Sequence, residues 1–147
     1  MRDFPDNRFD RVDLLDIVKA IETVAEEIMP EVVYTHHPDD LNVDHRRTAM
    51  ATLTAFRPLP GSTVRRILAM EVPSATGWGD PSRPFAPTVF LDIAAVLDKK
   101  LAAMEAYAGE RRPFPHSRAL PSRRHRQDRP SRAKYLSNPS AHRFTNV

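Results

Sequence analysis

Two prolines decide what the middle of the N-terminal half can become. Pro30 and Pro38 bracket the run Glu31-Val32-Val33-Tyr34-Thr35-His36-His37. Proline has no amide hydrogen to give to a helix, and it pushes the residue before it towards extended backbone. The bracketed run is too short for a stable helix and is β-branched and aromatic at Val32-Val33-Tyr34-Thr35. It predicts a short buried strand of a parallel sheet.

The flanks supply the partners. Leu14, Leu15, Ile17, Val18, Ile21, Val24, Ala25 and Ile28 recur at helical spacing, with Asp13 placed to cap the start and Pro30 to force the stop after Met29. This helix is expected to lay its apolar stripe on a sheet. Residues 1–12 read as loop. A second helix is predicted from Asp44 to Phe56, then a turn at Pro60-Gly61 and a strand from Val64 to Val72. A Pro/Gly-rich loop follows over 73–87, then a short strand over Thr88–Ile93 and a helix from Ala94 to Ala108. In that last helix Lys99 and Lys100 lie opposite Leu97, Leu101 and Met104. The alternation predicts an α/β fold with a parallel sheet and flanking helices.

Composition bounds the function. Of 147 residues 41% are hydrophobic and none is cysteine, so one modest core is affordable and no thiolate or disulfide chemistry is available. A metal would have to use His and carboxylate ligands. No apolar run approaches the length of a membrane span, and Met1-Arg2-Asp3-Phe4 does not begin a signal peptide; a soluble, cytoplasmic protein with no membrane partner is expected. Charge divides sharply. Residues 1–110 carry 12 Lys/Arg against 18 Asp/Glu, whereas residues 111–147 carry 10 against 1. From Arg111 the chain is rich in Arg, Ser and Pro without apolar periodicity, which predicts disorder.

The chemistry concentrates between the two prolines and the second helix. His36, His37, Asp39, Asp40, Asn42, Asp44 and His45 fall within ten residues. In open α/β sheets ligands bind beyond the carboxyl ends of the strands, and this stretch follows the predicted strand directly. Asp44-His45 can be read as a helix cap with a solvated histidine. It can equally be read as a metal or catalytic imidazole whose other ring nitrogen a carboxylate holds. Asp40 and Asn42 lie close enough to touch the same centre or a hydroxyl-rich ligand.

The run Tyr34-Thr35-His36-x-x-x-Asp40-Leu41-Asn42-x-Asp44-His45-Arg46 resembles the later metal-binding motif of the PIG-L/LmbE-like zinc-dependent N-acetylglucosaminyl deacetylases. Further echoes follow in order: Thr54-Ala55-x-Arg57-Pro58, Glu71-Val72-Pro73-Ser74-x-Thr76-x-Trp78, Phe85-x-Pro87-x-x-Phe90-x-Asp92-Ile93, then Lys99, Tyr107 and Glu110, and Pro115-His116-Ser117-Arg118. The resemblance implies a Rossmann-like domain of the LmbE type over residues 1–118, N-terminally truncated, followed by a disordered basic tail over 119–147. It implies zinc (Zn2+) as cofactor and a small amino-sugar conjugate as substrate, whose N-acetyl amide is hydrolysed by zinc-activated water. His45 would be the zinc ligand, Asp44 would orient it, and Asn42 stands where many members carry a second histidine at the oxyanion. His36 and Asp40 would line the site, with Arg57, Ser74, Trp78 and His116 shaping the substrate pocket; Trp78 has the competing reading of packing beneath its loop.

His37-Pro38-Asp39-Asp40 imitates the family's first motif, His-Pro-Asp-Asp-Glu, but Leu41 replaces the glutamate and the continuation belongs to the later motif. The other ligands and the general-base aspartate are therefore expected to be missing, and activity of the chain alone impaired. The abrupt change of composition after Arg118 suggests a shifted reading frame. Two alternatives stand beside the enzyme reading. One is a non-enzymatic carbohydrate-binding relative. The other is a nucleic-acid-associated protein using Arg123, Arg124, Arg126, Arg129 and Arg132 against phosphates, with only Tyr135 and Phe144 to stack on bases.

Overall fold

A computed structural model describes residues 4–72, 74–107, 109 and 143–145. The chain divides into two compact units, one of Met1–Thr88 with Asn138–Val147 and one of Val89–Ser137. The expected boundary between 118 and 119 lies outside the described residues, as does most of the tail.

The first unit is built on helix α1 (Leu14–Ile28), strand β1 (Val32–His36), helix α2 (Val43–Ala55) and strand β2 (Arg66–Met70). β1 and β2 pair in parallel, Val32 opposite Arg66 through His36 opposite Met70, so α2 is the crossover between them. The predicted strand over 64–72 is trimmed at both ends. Within the tail expected to be disordered, Arg143–Thr145 forms a strand that runs antiparallel to β2 with Ile67 opposite Phe144. The sheet is therefore mixed, in the order of β1, β2 and this third strand.

The apolar stripe of α1 meets a helix rather than a sheet. Ile17 and Val18 are buried with Ala51 of α2, and Phe4, Phe9, Val12, Leu14, Ile21 and Ala55 pack around them. Burial of each large side chain contributes about 2 kcal/mol. Small residues make the three-layer stack possible: Ala49, Ala51 and Thr52 are all buried on α2, and Thr52 Oγ1 meets Thr35 Oγ1 of β1 at 3.2 Å. The far half of the stripe is not used, since Val24 and Ile28 are exposed. β1 is only half buried, with Tyr34 facing out.

Caps differ from expectation in one respect. Asp13 stands at the start of α1, but its side chain makes no cap bond; its carbonyl accepts from Asp16 N at 2.9 Å. The stop is as expected: Met29 turns into left-handed backbone (φ 49°) ahead of Pro30 and donates its N–H to Ala25 O.

In the second unit a 3-10 turn at Ala94–Val96 leads into helix α3 (Leu97–Ala106), whose Leu101 is buried. The strand predicted over 88–93 does not form. No described strand pairs with it, and Val89, Phe90 and Leu91 are exposed. Asp92 instead turns the chain by accepting Ala94 N at 2.8 Å. No helix among the described residues is long and apolar enough to cross a membrane.

Candidate functional site

Because β1 and β2 are parallel, the loops leaving His36 and Met70 emerge at one edge of the sheet. They bind each other. Leu41 N donates to Ala75 O at 3.4 Å, and Gly79 lies so close to Asp39 that a Cβ there would collide with the Asp39 carbonyl. Only glycine fits that approach.

Asp40 is the centre of the contact. Its side chain is completely buried, and a buried carboxylate must be satisfied. Oδ2 accepts from Thr76 Oγ1 at 2.7 Å, and Oδ1 accepts from Asn42 N at 2.8 Å and from His45 Nδ1 at 3.0 Å. Arg46 holds the same loop from outside, donating to the carbonyls of Asp40 and Leu41. With Nδ1–H committed to a carboxylate, the lone pair of the neutral ring lies on Nε2, and the His45 side chain keeps 21% of its exposure.

The expected partner of His45 was its neighbour Asp44. The structure corrects this. Adjacent residues on a helix point about 100° apart and do not face each other. Asp44 instead anchors the N-terminal loop, accepting from Asn7 N and from Phe9 N at 2.6 and 2.9 Å. Its negative charge also suits the first turn of α2. Asn42 is likewise spent on structure: it is the cap of α2, its side chain accepting from Asp44 N and His45 N while its amide donates to Asn7. That leaves it badly placed to serve an oxyanion.

His36 stacks on His45 with ring centroids 4.0 Å apart and planes 3° from parallel. Its Nδ1 is buried without a hydrogen-bond partner. Burial lowers its pKa below the ordinary 6.5, the field of His45 lowers it further, and Asp40 opposes both. His37 has a structural place, buried edge-on against Phe85 with Nε2 near Arg83 O.

The other candidates divide by position. Ser74 sits in the loop that delivers Thr76. Trp78 is 71% exposed, which excludes packing beneath the loop, and it lines an open groove of about 340 Å³ with Asp39, Leu41, Arg46, Gly79 and Asp80. Arg57 is not brought to the site. It follows the far end of the 13-residue α2, about 20 Å from the cap, and donates to Thr54 O. His116 and Arg123 to Arg132 lie outside the described residues. Thr76 was visible in the sequence only as one letter of a motif; its spacing of 36 residues from Asp40 gave no sign of contact.

A catalytic zinc needs three protein ligands and an open position. Among the described residues no group of three His or carboxylate side chains is placed to hold a metal. The stack explains part of this. Zinc binds in the plane of an imidazole, and an atom in the plane of one stacked ring lies roughly 3.5–4 Å from the plane of the other, too far for a 2 Å bond. Asp40 has its oxygens engaged. His45 Nε2 would supply one ligand, and the described residues do not fit a complete centre.

No curated protein and no solved structure matches the chain. The model of the family PIG-L, GlcNAc-PI de-N-acetylase, does match, over residues 1–56. The echoes from Arg57 onward fall beyond that stretch. Asp40, Asn42, Asp44 and His45 lie inside it, so the loop and helix that build the site fall within the stretch that is similar to that family.

Proposed function

We propose that the chain has a deacetylase-type function, with a sugar conjugate of the N-acetylglucosamine type seated at the Trp78 groove and His45 as the working imidazole. One observation carries the reading: a fully buried carboxylate within the family-matched stretch sits on Nδ1 of His45, which leaves the ring's lone pair to Nε2. Hydrolysis of the N-acetyl amide would release acetate and a free amine. Zinc is the cofactor the family implies. Because the described residues do not complete a zinc site, no step is assigned to it, and the chain's own contribution is to hold and orient the imidazole.

The test is acetate release from an N-acetylglucosaminyl conjugate with zinc supplied, by wild type and His45→Ala. Release by the wild type that is lost in the variant, with helix content unchanged, is the expected result. Equal release by both, or none by the wild type, overturns the hydrolytic reading.

The incomplete ligand set among the described residues favours a second reading, a sugar-binding relative without hydrolysis. Trp78 is the sole tryptophan of the chain, so its fluorescence reports the groove directly. Quenching by the conjugate without acetate release selects this reading.

A further inference from the structure

We propose that Thr76 is a positioning residue that acts on His45 through Asp40; the proposal rests on the reading of His45 as the working imidazole. Thr76 is almost completely buried, and its hydroxyl has its direction imposed. Oγ1 accepts the N–H of Val72 at 2.7 Å, so its one proton is left for Asp40 Oδ2, also at 2.7 Å. Asp40 then presents Oδ1 to His45 Nδ1–H.

A carboxylate held at one oxygen can rotate about its Cβ–Cγ bond. Held at both, its plane is set, and with it the ring that donates to it. Thr76 arrives on a different strand's loop from Asp40 and His45. The tight approach of Gly79 to Asp39 and the Leu41–Ala75 bond keep that loop in register. Valine matches threonine in shape but lacks the hydroxyl, so Thr76→Val removes the two hydrogen bonds while keeping the side-chain outline.

The experiment compares wild type, Thr76→Val and Thr76→Ser as full chains without metal, reading the His45 tautomer from its ring 15N resonances. Wild type and the serine variant are expected to hold the Nδ1–H form. In the valine variant the ratio of the two tautomers shifts by about tenfold towards Nε2–H, the scale of losing one hydrogen bond to a charged group. A purely structural Thr76 leaves the tautomer ratio unchanged in valine, and that result overturns the proposal. So does a serine variant that behaves like valine. Should valine unfold the chain, the wild type decides: a Thr76 hydroxyl proton held on Asp40 exchanges slowly with solvent, and fast exchange overturns the proposal. Zinc chloride titration is a separate arm. Binding lost in His45→Ala supports the ligand role of His45, and binding unaffected there refutes it; the tautomer result stands in either case.

Discussion

The two ends of α2 have opposite characters. At the start, Asn42 caps the helix, Asp44 holds the backbone of Asn7 and Phe9, and His45 and Arg46 bind Asp40 and its loop. At the finish, Phe56 closes with a single backbone bond to Thr52, and Arg57 reaches only Thr54 O before an exposed turn, where Gly61 adopts φ +84°. A helix start offers unpaired N–H groups and positive potential, and here it also meets the carboxyl edge of a parallel strand pair. Polar side chains gather there because partners exist for them. The finish faces solvent and offers a lone arginine little to hold.

The largest break in this contrast comes from Asp40→Ala. It strips the acceptor from Thr76, Asn42 N and His45 at once, in a buried place, and should lower stability by about 3–5 kcal/mol. Urea midpoints measure it, and a loss under about 1 kcal/mol would mean that the start of α2 is no better tied than its finish. Next is the paired comparison of Asn42→Ala with Arg57→Ala. Loss of the cap should cost about 1 kcal/mol, while the exposed arginine should stay within about 0.5 kcal/mol. Equal effects would erase the asymmetry.

The smallest effect is a pH slope. His36 titrates below its ordinary 6.5 in the fold, chiefly through burial and then through His45. The unfolded chain therefore takes up its proton at higher pH than the folded one. The stability contributed by neutral His36 is complete above pH 6.5 and is lost as pH falls from there towards the folded value. His36→Phe keeps an aromatic ring beside His45 and removes the titration, so its midpoint should change less over the same range.

Thr88–Ile93 shows why pattern alone misleads. Its apolar letters suit a strand, but β propensity is realised only against a partner, and Phe90 and Leu91 remain in solvent. His36 and His37 make the same point within the site. They are adjacent in sequence, yet period-two alternation sends one to stack on His45 and the other against Phe85.

From sequence alone, α1, β1 and α2 were legible, because local forces set them: helical spacing and two prolines. Even the wrong partner for His45 was in principle readable, since neighbours on a helix cannot face each other. Only the tertiary structure decided that Asp40 holds His45, that Thr76 holds Asp40, and that Trp78 stays exposed. Those contacts join residues from separate loops, and the parallel pairing that brings the loops together leaves no mark in either one's sequence.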